Sequence, residues 1–293
     1  MFNPAEVLAA AFGDHLSETY LQAFPEQKTQ YADFLNHTAR ETLEHISASD
    51  APYHNSEHTM MVTLVGQQII LGKHKTSIVH PEDWLHYILA LLIHDIGFRR
   101  GVCDGDTSNE VVINDAGERV CPPRGSTDAY LAPYHVDRAK IYARHRFAGS
   151  DFIDPERIAQ AIEYTRFPVP DDPAYACYET EPALVRAADL IGQIADPYYL
   201  SKVSGLYHEF LETGFARELG FSSPMDLVEQ FPSFFHQQVE PLIGPALEHL
   251  EQTSDGKELI VELYSRVTQV SRRENTLGPF SGPQDVPGCG ADG

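Results

Sequence analysis

The feature that most constrains this chain is an apolar segment ending in two ionisable residues. Trp84 to Ile93 reads WLHYILALLI, and His94-Asp95 follow directly. Pro81 is a favoured first helical residue and Gly97 a natural terminator, so a helix is expected from Pro81 to Gly97. Its uninterrupted aliphatic stretch, Ile88 to Ile93, is far short of the roughly 20 residues that span a bilayer. Burying Asp95 beside His94 at the end of such a helix is costly unless something positive compensates the carboxylate.

Two further segments pose or answer the same problem. Asp189 sits in LVRAADLIG, another apolar helical pattern, where Arg186 is one available partner. Tyr53 to Thr59 reads YHNSEHT and carries His54 and His58. His58, His94, Asp95 and Asp189 together offer two imidazoles and two carboxylates. Such a nitrogen and oxygen set suits a catalytic divalent ion that keeps positions open for water and substrate. One cation would compensate all four groups together.

The rest of the pattern is mostly helical. Glu26 to Ser47 places apolar residues at helical spacing, and a second helix is expected from Ser56, as N-cap, to Leu71. Further helices are expected over 134–149, 155–165, 182–195, 197–213, 224–251 and 256–271, with Pro155, Pro182 and Pro197 at helix starts. Residues 98–133 break the pattern. There Val111–Ile113 and Arg119–Val120 flank a turn-rich NDAG, which predicts a short β-hairpin in a long loop of the kind that often covers a functional site. The expected architecture is one all-α domain over 1–273, with a core at about 26–215, C-terminal helices over 224–271 and a Gly/Pro-rich, disordered tail over 274–293.

Composition excludes some functions. With 43 acidic against 21 basic residues and a formal charge of −22, the chain lacks the cationic face that nucleic-acid polymers or anionic membranes require. The first residues, MFNPAEVLAAAFGDH, do not read as a signal peptide, and the four scattered cysteines form no CxxC pair. A cytoplasmic protein is expected, with a Cys103–Cys121 bridge left open. One stretch departs from the acidic balance: residues 99–146 hold eight basic and seven acidic side chains. Arginine matches phosphate oxygens well, so Arg99, Arg100 and Arg138 are candidate substrate contacts. The alternative is a solvated helix face paired with nearby acids. His135, in YHVDRAK, is a candidate ligand or phosphate contact.

The order H…HD…D resembles the signature of HD-domain metal-dependent phosphohydrolases, an all-helical superfamily, over about 54–195. YHNSEH is similar to the HNxxH motif of class I cyclic-nucleotide phosphodiesterases, and ADLIGQIADP stands where their downstream aspartate does. The resemblance implies that His58, His94, Asp95 and Asp189 hold a first ion, zinc or a similar transition metal such as Mn, Fe or Ni. Asp95 would also bridge to a second ion, Mg²⁺ or Mn²⁺, and His54 would protonate the leaving oxygen. Asn55 and Glu57 would orient His54 or a water. Here HDIG runs on into Phe98-Arg99-Arg100-Gly101, where those phosphodiesterases usually carry a further His and a Gly.

The function expected from this set is hydrolysis of a small phosphate ester, a nucleotide or cyclic nucleotide phosphodiester, by metal-activated water. Two rivals stay open on the same fold: a di-iron oxygenase, which would need more imidazoles, recruited at His135 and His145, and a non-catalytic metal-binding sensor. The expected partner is a small phosphorylated substrate, with no nucleic-acid polymer and no membrane. A homodimer is left open.

Overall fold

The computed structural model describes residues 2–271; the expected tail over 274–293 lies outside the described residues. The fold is all-α, as the pattern predicts. In chain order the helices are α1 (Pro4–Ala23), α2 (Thr29–Ser47), α3 (Ser56–Thr76), α4 (Pro81–Ile93), α5 (His135–Arg146), α6 (Pro155–Glu163), α7 (Glu181–Ala195), α8 (Tyr199–Thr213), α9 (Phe215–Glu218), α10 (Pro224–Phe234), α11 (Glu240–Leu250) and α12 (Ser254–Ser271). α1 was not anticipated; Asn3 caps it and Pro4 opens it, and its Phe12, Leu16 and Tyr20 lie buried in the interface with α2. The span expected as one helix over 224–251 is instead α10, a π-helical turn at Phe235–Val239 and α11.

α4 lies at the centre. Every residue from Trp84 to Ile93 is buried, because α2, α3, α6 and α7 all pack around it. An all-round apolar helix has this as its stable solution in water. One contiguous apolar cluster runs through these helices and on into α11 and α12. No helix among the described residues is long and apolar enough to cross a membrane.

Two departures from the expected boundaries bear on the site. α4 stops at Ile93, not Gly97; His94 caps it, Asp95 has φ −100° and ψ 2°, and Ile96–Phe98 form a 3-10 turn. The polar pair therefore stands at the break, where the chain turns away from the core helix. The N-cap of α3 is Asn55 rather than Ser56: its side chain accepts from the N–H groups of Glu57 and His58 at 3.0 and 3.3 Å. The hairpin forms as predicted, antiparallel, with Val111 opposite Val120 and Val112 opposite Arg119. Cys103 is buried and Cys121 exposed, both as free thiols.

Candidate metal centre

Three helices deliver the four expected ligands. His58 lies in the first turn of α3, His94 and Asp95 follow α4, and Asp189 lies on α7. α3 and α7 approach closely because Gly192 has no side chain: a Cβ there would stand 2.8 Å from the Val62 Cα. Gly97 does the same for α5, since a Cβ would fall 1.9 Å from the His135 carbonyl oxygen. The glycine of HDIG thus lets the start of α5, and His135 with it, close on the turn that carries Asp95.

The four ligand atoms converge. His58 Nε2 is 3.2 Å from Asp95 Oδ2 and 3.4 Å from Asp189 Oδ1; His94 Nε2 is 3.2 and 3.6 Å from the same two oxygens. With metal–ligand bonds of about 2.0–2.2 Å, neighbouring ligand atoms around one ion stand about 3.0–3.5 Å apart. The site has the spacing of a coordination shell.

Its hydrogen bonding supports the same fit. The His94 Nδ1–H donates to the Leu91 carbonyl at 2.7 Å, which fixes the ring and leaves Nε2 to face the carboxylates. Yet His94 Nε2 and Asp95 Oδ2, both buried and 3.2 Å apart, make no regular hydrogen bond. A ring nitrogen held this close to carboxylate oxygens needs positive charge among them, a proton on the ring or a cation between the groups. Burial alone would drive the His94 ring neutral, but Asp95 and Asp189 outweigh it and raise its proton affinity well above the ordinary value. Burial opposes the charge of both carboxylates, while the His58 and His94 imidazoles hold their pKa values below the usual range. The residues fit a divalent ion.

His54 stands beside this shell. One of its nitrogens groups with ligand atoms of His58 and Asp95, all within 4.8 Å of one another. Its ring stacks on Phe98, centroids 4.4 Å apart, and its Nδ1 bonds Glu209 Oε2 at 2.5 Å. Glu209, on α8, is buried and also accepts from the backbone N–H groups of Tyr53 and His54 at 2.6 and 3.1 Å. Burial disfavours the His54 imidazolium, but Glu209, with Asp95 and Asp189 behind it, overrides that and lifts the ring to about 9. Sequence reasoning missed Glu209, which stands on α8 near the buried Val203 and Leu206 and has no local signal that sets it apart from the other acids of that helix. Asn55 acts as a helix cap, and Glu57 pairs with Lys202 at 2.8 Å; the structure brings neither to His54 by a bond.

His135 also turns inward. Its Nδ1–H donates to the Ala132 carbonyl at 2.5 Å and its Nε2 lies 3.7 Å from Asp95 Oδ1, the other oxygen of that carboxylate. His145 is not recruited: it is exposed and pairs with Asp104 at 2.9 Å. Nor does Arg186 pair with Asp189, whose partners are the two histidines.

The expected arginine contacts need correction. Arg138 is wholly buried and has no donor left for substrate. Its five N–H groups go to the carbonyls of Gly97, Val112 and Arg99 and to both oxygens of Asp106. It is a structural tie between α5 and the loop after α4. Arg99 and Arg100 both turn to Asp128, at 3.9 and 2.8 Å, and Arg100 also donates to the Ser126 carbonyl at 2.5 Å. The near-neutral balance of 99–146 therefore makes no single basic patch. Arg119, Lys140, Arg144 and Arg146 pair with carboxylates as well.

No curated protein matches the sequence. One family model does, and its match over residues 2–273 takes in every element that builds the site, from the cap of α3 to Asp189 and Glu209. By that match the chain belongs to the Npun_R2479-like family.

Proposed function

We propose that this protein is a divalent-metal-dependent phosphohydrolase of the HD-domain type, acting on a small phosphate ester of the nucleotide or cyclic-nucleotide class. The observation that carries the reading is the buried meeting of two imidazole nitrogens and two carboxylate oxygens at 3.2–3.6 Å, with His94 Nε2 and Asp95 Oδ2 unbonded. His58, His94, Asp95 and Asp189 would hold the first ion; Asp95 Oδ1 and His135 Nε2, 3.7 Å apart, would serve a second. A divalent ion supplies a Lewis acid and lowers the pKa of water, which makes a nucleophile at neutral pH.

The chain's own residues do the rest. His54 keeps Nδ1 on Glu209 and so presents Nε2 as the proton donor to a leaving oxygen. The Glu209 carboxylate favours the protonated ring, which supports His54 as the group that carries that proton. Phe98 holds one face of the ring and fixes its plane. A transition metal in the first site and Mg²⁺ or Mn²⁺ in the second agree with the donor set. The approach of His135 favours a second reading, a di-iron oxygenase on this scaffold, but the exposed pairing of His145 withholds the further imidazole that reading asks for.

The test is a panel of Mn, Mg, Zn, Fe and Ni against nucleotides, cyclic nucleotides and sugar phosphates, each with and without chelator. Hydrolysis that needs a metal and disappears with chelator is expected. Two irons per chain without phosphatase activity would move the assignment to the oxygenase; activity indifferent to chelator would end the metal reading.

A further inference from the structure

Arg186 contrasts with Arg138. Both residues are buried, Arg186 at 2% and Arg138 at 0% exposure. Arg138 shows what a structural arginine looks like in this fold, with five hydrogen bonds and the Asp106 carboxylate at 2.9 Å. Arg186 makes one hydrogen bond, from Nη1 to the Tyr175 carbonyl at 3.3 Å, while its Nε and Nη2 have no partner. No carboxylate faces it. Its surroundings are tyrosines: the Tyr164 and Tyr178 rings lie 5.4 and 5.9 Å from the guanidinium carbon, and Tyr175 packs on Tyr164 at 5.0 Å.

Cation–π contact offsets part of the cost of that burial. It leaves the planar fork of donors unused, and an unpaired buried charge is among the least stable arrangements a protein can hold. The cover over the guanidinium is thin. Residues 167–180 are exposed or half-buried throughout, and Tyr178 is 41% exposed. A segment with so few buried anchors opens at low cost. Arg186 also stands three residues before Asp189 on α7, on neighbouring positions of the helix surface.

We propose that Arg186 is the receptor for an oxyanion, a phosphate or carboxylate group of a small ligand, bound beneath the tyrosine-bearing segment 164–180. Two parallel N–H donors match either anion, and the tyrosine rings give the ligand an amphipathic wall. The site stands on the unpaired guanidinium and does not depend on the ion. Where the metal reading also holds, the two together select a substrate with a second anionic group.

The experiment follows the unfolding temperature against rising inorganic phosphate, and in a parallel arm malonate, at ionic strength matched with sodium chloride. Each arm is run on the purified protein with and without chelator. For the parent, a saturable rise is expected that survives chelator, and the more effective anion identifies the group. Arg186→Met should lose that response, and Arg186→Lys should need at least tenfold more anion, because it keeps the charge without the fork. A parent that responds to neither anion overturns the proposal, as does Arg186→Met responding like the parent. A response abolished by chelator assigns the anion to the ion and also overturns it. If Arg186→Met does not fold, Arg186→Lys decides: half-saturation equal to the parent's refutes the site. Failure here leaves the metal panel unaffected, and failure of that panel leaves this site standing.

Discussion

Replacing Glu209 by Gln tests the pairing that organises His54. The amide keeps the size of the side chain and an oxygen for the Tyr53 and His54 N–H groups, and removes the charge. In the parent the His54 ring rises from 6.5 to about 9, with burial working against it and Glu209 the largest favourable cause. At about 1.4 kcal/mol per pH unit, that net difference is worth about 3 kcal/mol, with Glu209 its leading favourable cause. The sign follows from linkage. A ring whose folded pKa exceeds its unfolded value contributes stability that is complete below about 6.5 and is lost as the pH rises through about 9. Glu209 sets the acid limit: burial raises its pKa, but His54 and the two N–H groups hold it below the ordinary value, so its contribution persists until the pH falls through that lowered range.

Urea unfolding followed by circular dichroism, at pH 6 and pH 9.5 with chelator throughout, reads this directly. Glu209→Gln should lose on the order of 3 kcal/mol at pH 6, a midpoint shift on the order of 1 M, and much less at pH 9.5. Equal losses at the two pH values, or none at pH 6, would show that the pair is not held by charge. In turnover, the same variant should slow substrates with poor leaving groups most, by about 10²-fold or more.

Asp95→Asn should strip the ion, since it removes one of two carboxylate charges and the oxygen nearest both histidines; elemental analysis should show affinity falling by more than the roughly 10–100-fold that loss of an outer partner costs, with helical content unchanged. Gly97→Ala forces a methyl into the His135 carbonyl. It should cost about 1–3 kcal/mol in urea unfolding and weaken metal retention, because Asp95 and His135 move together. Arg138→Met leaves Asp106 buried without its partner and should destabilise by about 3–5 kcal/mol, while the metal content of the folded fraction stays at the parent level. A drop in that content would return Arg138 to the site.

Local order and the residues of the His/Asp cluster were legible in the sequence; their further partners were not. The α4 pattern announces itself, because an unbroken apolar helix needs surrounding helices and an ionisable pair at its end needs compensation. Pro81, Pro155 and the alternation around NDAG act within a few residues, so they can be read directly. Glu209 and His54 are 155 positions apart, and nothing in GLYHEFLET distinguishes a carboxylate that meets an imidazole from one that meets water. α1 was overlooked for a related reason: its apolar residues matter only against the facing stripe of α2.

The arginines show where composition misleads. Counting charge along 99–146 treats each guanidinium as available, but availability is a property of the folded neighbourhood. Arg138 sits in YHVDRAK, beside Asp137, and reads as a candidate phosphate contact or part of a solvated helix face; the loop after α4 folds back over it and brings Asp106, 32 positions away. Arg186 sits in LVRAADLIG, where Asp189 three residues on is one available partner beside the expected metal. The histidines claim that aspartate instead, since two imidazole nitrogens at 3.4 and 3.6 Å already surround its Oδ1. What the fold hides in the first arginine is a full set of bonds, and in the second the lack of one. The second is the more informative, because a charge buried without a partner points to a group that arrives from outside.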